Sequence, residues 1–242
     1  MIKQFIYIIL IITLFSCGKD SACSKPKGEV ISIEKNLETF TGIETLENIN
    51  IEWVKSNDYK AVVTTGENLI DQIELTIKDG LLTLENQNTC TWLRDDLDEV
   101  NVKIYSPSPK SLILRGNGSL TSNDTITSNI KIENYANQGS INLTIKNDST
   151  WALLETGSLD LTLKGTTNYF YLYNVGYNYV FAKDFISRKC HINNNSWVTN
   201  QVTVTQKLII ENYSLGEIRY WGNPNSVDLT INQSNGKIIK MD

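Results

Sequence analysis

Histidine is almost missing from this chain: His191 is the only one. A lone histidine with no Ser or Cys placed to pair with it does not make a nucleophile and its base. No Cys/His spacing of a zinc site accompanies it, so no metal centre and no cofactor are expected. Proline is scarce, at four positions, and no stretch carries the apolar period of a long amphipathic helix. No apolar run is long enough to span a bilayer. An excess of basic residues is lacking too, because the chain carries a net charge of −5. That balance argues against nucleic acid as a partner and against a basic membrane-binding patch.

What is present is a repeat. Gly118, Gly139, Gly157, Gly176, Gly216 and Gly236 follow one another at steps of 21, 18, 19, 40 and 20 residues. The long step is a double one with Asn195 at its middle. Short runs of alternating apolar and polar residues flank each anchor. A fixed period near twenty, built of strands and turns, predicts a stacked β-solenoid. Leu112-Leu114, Ile130-Ile132, Leu153-Leu154, Phe170-Leu172, Cys190-Ile192 and Leu208-Ile210 lead into the turns. Leu120, Ile141-Leu143-Ile145, Leu159-Leu161-Leu163, Val180, Trp197 or Val198, Ile218 and Ile238 follow them. Around seven rungs, each rising by about 4.8 Å, are expected. Asn117, Asn134, Asn174, Asn194, Asn212 and Asn232 recur near the corners. Stacked asparagines can bond their amides from rung to rung, although asparagine also simply suits turns.

The region from Glu29 to Ser106 lacks the glycine repeat. Strands are expected at Val30–Ile33, Ile49–Val54, Tyr59–Thr64, Ile73–Ile77, Leu81–Glu85 and Val100–Tyr105. Asp79-Gly80 is a hairpin turn signal, so this part contains antiparallel pairing. Pro107 and Pro109 mark the passage to the rungs. The domain of residues 30–242 therefore divides into a mixed β part, 30–110, and repeated rungs, 111–242.

The beginning of the chain reads as an export signal. Lys3 is followed by an apolar run, Phe5 to Phe15, that ends in Leu14-Phe15-Ser16-Cys17. This order predicts a lipoprotein signal peptide at 1–16 and acyl chains on Cys17, the alternative being a secretory signal that happens to contain a cysteine. More than one acyl chain anchors a protein stably in a membrane. Residues 17–29 are polar and without apolar period, as in a flexible tether. With Cys17 acylated, Cys23, Cys90 and Cys190 remain, an odd number that cannot all pair in one chain. Cys23 and Cys90 either pair or stay thiols. Cys190 shares an alternating face with Ile192, which predicts a buried thiol.

Phe40-Thr41-Gly42-Ile43 with Ile49-Asn50-Ile51-Glu52-Trp53, then Glu67 to Ile73 with Lys78 to Leu84, resembles the opening of one bacterial family. Tyr220-Trp221-Gly222-Asn223-Pro224 and Ser234-Asn235-Gly236-Lys237-Ile238 resemble its last rung. That family is described as putative auto-transporter adhesin, head GIN domain, and consists mostly of exported Bacteroidetes proteins. The resemblance spans residues 30–242. It implies an all-β fold, a right-handed parallel β-helix preceded by a mixed β region. It implies no catalytic residues. Gly118-Ser119, Gly139-Ser140 and Gly157-Ser158 keep a small corner pair like the family's, whereas Gly176-Tyr177 and Asn195-Ser196 depart from it. Asp20-Ser21-Ala22, Asp124-Thr125-Ile126 and Asp148-Ser149-Thr150 resemble a short O-glycosylation motif of Bacteroidetes envelope proteins.

Candidate site residues come from the aromatic stretch. If Phe170, Leu172 and Val180 point inward, Tyr169, Tyr171, Tyr173, Tyr177 and Tyr179 point outward. Such a stripe can stack on sugar rings or meet a protein, or its rings can pack on one another. A slip of one residue would instead bury Tyr177, Tyr179 and Phe181. His191, between Cys190 and Ile192, should face outward. Asp95, Asp96, Asp98 and Glu99 form an acidic run without the spacing of a calcium loop. The expected function is a non-enzymatic binding or adhesion module, lipid-anchored in the cell envelope at the outer membrane, on its periplasmic or surface face. Its ligand would be a glycan or a cell-surface protein. The competing expectations are a polysaccharide-active β-helix enzyme and an envelope protein that assembles with copies of itself.

Overall fold

The computed structural model describes residues 26–88, 99–135, 137–232 and 235–242. Cys17, Cys23, Cys90, Asp95, Asp96 and Asp98 lie outside them. The fold is a β-solenoid of about six turns with a mixed N-terminal sheet region. Its rungs pass through β8 (Ser111–Leu114), β9 (Gly118–Ile126), β10 (Ile130–Asn134), β11 (Asn137–Leu154), β12 (Gly157–Gly176), β13 (Tyr179–Ser196) and β14 (Asn200–Asn212). β15 (Ile218–Trp221), β16 (Ser226–Asn232) and β17 (Ile238–Lys240) complete them. Each pairs in parallel with the rung before it, and β8 to β15 pair in parallel with the rung after as well. Alternation puts every second side chain inside, where Ile141, Ile145, Leu159, Leu161, Leu163, Leu172 and Ile192 are fully buried.

The N-terminal strands are β1 (Val30–Asn36), β2 (Gly42–Leu46), β3 (Asn50–Lys55), β4 (Lys60–Gly66), β5 (Ile73–Lys78), β6 (Leu81–Asn86) and β7 (Asn101–Ser106). The antiparallel pairs expected from the hairpin signal are present: β1 with β4, β4 with β7, and β5 with β6. β2 and β3 behave differently, because they stack in parallel as a rung of the column. β2 lies between β6 and β8, and β3 between β7 and β9. The column thus extends below the first periodic glycine, and its order in space departs from its order in the chain. Trp53 lies within this part of the column, fully buried with its indole Nε1–H donating to Ser106 Oγ at 3.0 Å.

The corners explain the glycines. Gly176 turns at φ +81°. A side chain at Gly216 would collide with the carbonyl oxygen of Ser196, which accepts the Gly216 N–H at 3.0 Å. Across the double step, Ser196 stands opposite Gly176, so Ser196 and not Asn195 holds the glycine position. The period also shortens there. Between Ala182 and Ile186 the chain advances four residues while β14 advances one, from Val202 to Thr203, so three extra residues bulge. The bulge turns Phe185 into the core, where its ring meets Phe170 edge-on at 5.4 Å between centroids. Cys190 is buried as the alternation predicts, and burial pushes its thiol well above the usual range.

The asparagine ladder forms inside the corner. Asn134, Asn174, Asn194 and Asn212 are fully buried. Asn174 Nδ2 donates to Asn200 Oδ1 at 2.7 Å, Asn200 Nδ2 to Asn194 Oδ1 at 2.9 Å, and Asn194 Nδ2 to Asn212 Oδ1 at 2.8 Å. Leu154 interrupts the column between Asn134 and Asn174. Asn178 reaches in to bridge the gap, accepting from Asn134 and donating to Asn174, both at 3.3 Å. Asn117, by contrast, is exposed.

Candidate functional site

Phe170, Leu172 and Val180 are buried, so Tyr169, Tyr171, Tyr173, Tyr177 and Tyr179 all lie on the outside. The slipped register does not occur: Val180 and Ala182 fill the core, and Phe181 faces out. The five tyrosines nevertheless belong to two surfaces, because a corner separates Tyr173 from Tyr177.

The first surface is the wall of β11 to β14. Tyr169, Tyr171 and Tyr173 sit half-buried there. Tyr171 is stacked between Trp151 and His191 in the rungs on either side, and its ring meets the imidazole edge-on at 5.2 Å. His191 does face outward, where its Nε2 bonds Glu211 Oε1 at 2.9 Å. Asn193 donates to the other oxygen of Glu211 at 2.7 Å. Burial, assisted by Cys190 and Tyr171, raises the Tyr169 phenol above its ordinary value. Burial, then Glu211 and Tyr173, does the same to Tyr171. Both hydroxyls are therefore neutral donors at any physiological pH. This wall is a packed arrangement of rings and polar tips.

The second surface is the corner itself and the strand beyond it. Tyr177 and Trp197 are each 59% exposed, Leu215 53%, Tyr179 42% and Phe181 37%. Gly176 and Ser196 are register partners, so Tyr177 and Trp197 follow at the same corner one rung apart. Tyr179 and Phe181 alternate outward from one strand, and their rings lie parallel, 6.0 Å apart with 4° between planes. The sequence pattern placed Trp197 or Val198 inside. In the structure Trp197 is exposed and Val198 half-buried, because the tight turn at Ser196 swings the next residue to the outside. The signal that marked Trp197 was its place one residue past the corner, the same place Tyr177 holds.

The family's profile matches residues 39–224. The chain belongs to the family described as putative auto-transporter adhesin, head GIN domain. Solved structures share its fold, three of them as follows. A putative adhesin from Bacteroides fragilis superposes with a TM-score of 0.80 at 17% identity, covering 88% of this chain and 97% of its own. A putative adhesin from Parabacteroides distasonis gives 0.67 at 18% identity, covering 88% and 98%. A putative lipid binding protein, also from Parabacteroides distasonis, gives 0.55 at 17% identity, covering 89% and 98%. No curated protein matches the sequence. Membership of the head GIN domain family is consistent with a cell-surface or envelope protein. Among the described residues no helix is long and apolar enough to cross a membrane. Among them, too, no group of three or more His, Cys, Asp or Glu side chains is placed to hold a metal.

Proposed function

We propose that this chain is a non-enzymatic binding module of the bacterial cell envelope, engaging a glycan or a cell-surface protein through its aromatic corner. The observation that carries the reading is the concentration of Tyr177, Trp197, Leu215, Tyr179 and Phe181 in exposed positions on neighbouring rungs. Scattered apolar side chains on a surface need no explanation, but a contiguous patch does. Tyr and Trp suit recognition because each offers broad apolar area together with a polar tip. The half-buried wall of Tyr169, Tyr171 and Tyr173 would border this contact. Family membership supports adhesion over catalysis.

The test replaces Tyr177, Tyr179 and Trp197 with serine and measures adherence to immobilised glycans and extracellular proteins. Adherence is expected to fall at least about tenfold, in keeping with the weight that buried aromatics carry in interfaces. The melting temperature should stay within about 2 °C, because exposed sites contribute little to stability. Unchanged adherence would defeat the aromatic corner. Turnover of a polysaccharide by the wild type, seen as release of reducing ends or unsaturated sugars, would defeat the non-enzymatic reading. The neighbour described as lipid binding motivates one more arm, phospholipid vesicles offered to the unacylated chain.

The same proposal places the module on a membrane through acyl chains at Cys17, on the strength of Leu14-Phe15-Ser16-Cys17. Cys17→Ala is expected to incorporate no labelled fatty acid and to keep its leader, migrating as the larger precursor. A variant that is still labelled and migrates as the wild type would contradict the anchor.

A further inference from the structure

The second corner of the rungs, away from Tyr177 and Trp197, carries a groove of about 540 Å³ with its own chemistry. Inside this corner Asn147, Thr167 and Ser187 stack in register. Thr167 Oγ1 donates to Asn147 Oδ1 at 2.8 Å, which ties neighbouring rungs together. The residues on either side of that inner column point outward and line the groove. Lys146, Thr166 and Ile186 form one flank in register. Asp148, Asn168 and Arg188 belong to the other.

Two cations sit in the groove, and neither has a carboxylate partner among the described residues: Lys146 and Arg188. Arg188 is held in place all the same. Its Nε and Nη2 donate to the side-chain oxygen of Gln206 at 3.2 and 2.9 Å, in the amide orientation that satisfies both groups. The remaining guanidinium donors are free to meet an anion, and the planar fork matches a carboxylate. The single acid of the groove, Asp148, accepts from Asn168 Nδ2 at 2.6 Å through one oxygen. Its other oxygen and the Asn168 carbonyl are left as acceptors. Asn129 accepts the Ser149 N–H at 3.0 Å through Oδ1, which leaves its amide N–H groups as donors. Ile186 adds an apolar face, 45% exposed.

This set has a definite complement. Donors and acceptors together, on a shallow surface, suit sugar hydroxyls, which both give and take hydrogen bonds. The apolar face of Ile186 suits a ring's C–H face. The unpaired cations call for negative charge, on a protein whose net charge is −5. Two cations flanking an acid are too few for a nucleic acid backbone. A groove of about 470 Å³ near β3 and β7 differs in this respect. There the cation is already satisfied, since Lys103 Nζ lies 3.1 Å from Glu52 Oε2.

We propose that the second-corner groove binds an acidic glycan, a chain bearing uronic acid carboxylates laid across successive rungs. Arg188 takes one carboxylate in its fork and Lys146 takes another. Asp148, Asn168, Asn129 and Thr166 hold the hydroxyls between them. The site is separate from the aromatic corner, so either can fail without the other.

The experiment is calorimetric titration of the full chain, in detergent, with oligogalacturonate and with the same oligosaccharide fully methyl-esterified. The charged form is expected to bind at least about tenfold more tightly than the ester, as loss of charge-assisted hydrogen bonds requires. Its affinity should weaken several-fold between low and physiological salt, because partly exposed charges are screened. Lys146→Ala with Arg188→Ala should lower the affinity at least about tenfold at an unchanged melting temperature, both side chains being exposed. The serine variant of Tyr177, Tyr179 and Trp197 should bind oligogalacturonate as the wild type does. No binding, equal binding of the ester, or undiminished binding by the double variant would overturn the proposal. Loss of binding in the aromatic variant would move the ligand to the other corner and overturn it as well.

Discussion

Asn194→Ala is expected to lower the stability of the domain by roughly 4–6 kcal/mol, because several buried polar groups lose a partner at about 1–3 kcal/mol each. Asn194 Nδ2 donates to Asn212 Oδ1 at 2.8 Å and to the Gly216 carbonyl at 3.2 Å. Its Oδ1 accepts from Asn200 Nδ2 at 2.9 Å and from the Ser196 N–H at 3.1 Å. All of this lies in a fully buried corner, where water does not replace what is lost. For a domain of this size the melting temperature should fall by about 10–20 °C. Asn194→Leu separates volume from hydrogen bonding. It fills the space, and Leu154 shows that leucine fits this column. Leu154 is tolerated because Asn178 supplies the missing amide; the amide beside Asn194 is Asn200, whose Nδ2 already donates to Asn194 Oδ1 and would lose that acceptor. Asn194→Leu should therefore remain nearly as unstable as the alanine variant. Chemical denaturation checks both, and a leucine variant within about 1 kcal/mol of wild type would show that packing, not the amide ladder, stabilises the corner.

Phe170→Ala is expected to cost about 4 kcal/mol, the usual range for an aromatic removed from a core that cannot close around the gap. In its column Phe170 lies between Thr150 and Cys190, both smaller and both buried. The large ring occupies volume that neither neighbour can reach. Phe185, delivered by the bulge, is the one other ring in contact among the described aromatic pairs. The parallel backbone cannot sink inward to fill the space, because β12 is hydrogen-bonded to β11 on one side and β13 on the other. Tyr171→Ser, one residue away but outward, should cost much less. A Phe170→Ala variant that melts like Tyr171→Ser would mean that the inside and outside of β12 have been exchanged.

How much of this could be read from the chain depends on which interactions are local. Rungs announce themselves because each repeats the chemistry of its neighbour about twenty residues away. Hence Phe170, Leu172 and Cys190 were legible as inward, and Tyr169, Tyr171 and His191 as outward. The three-residue bulge before Ile186 was not, since Asp184 at an inward place after Val180 and Ala182 marks a conflict with alternation but not how many residues loop out. It shortened the period and moved Phe185 inside. Trp197 was misplaced for a related reason: a large apolar residue beside a turn looks like core, and only the turn geometry sends it out. The aromatic corner joins residues of three rungs that no single stretch of sequence displays together. The groove at Lys146 and Arg188 is harder still, because only the folded arrangement shows that neither cation meets a carboxylate among the described residues.

The threading of β2 and β3 between β6–β7 and β8–β9 bears on how the polypeptide is made. Synthesis delivers β2 and β3 early, yet their neighbours on both sides are translated later. Until those arrive, two apolar strands leave the ribosome with open hydrogen-bonding edges, the condition that favours unwanted association. The later rungs carry no such debt. Each pairs with a segment about one rung away, so closing each loop costs little entropy and the stack can grow by itself. The last-made part of the protein is therefore the part best able to order early. β2 and β3 must wait for β6 to β9, so this region orders only after the first rungs of the column have been made.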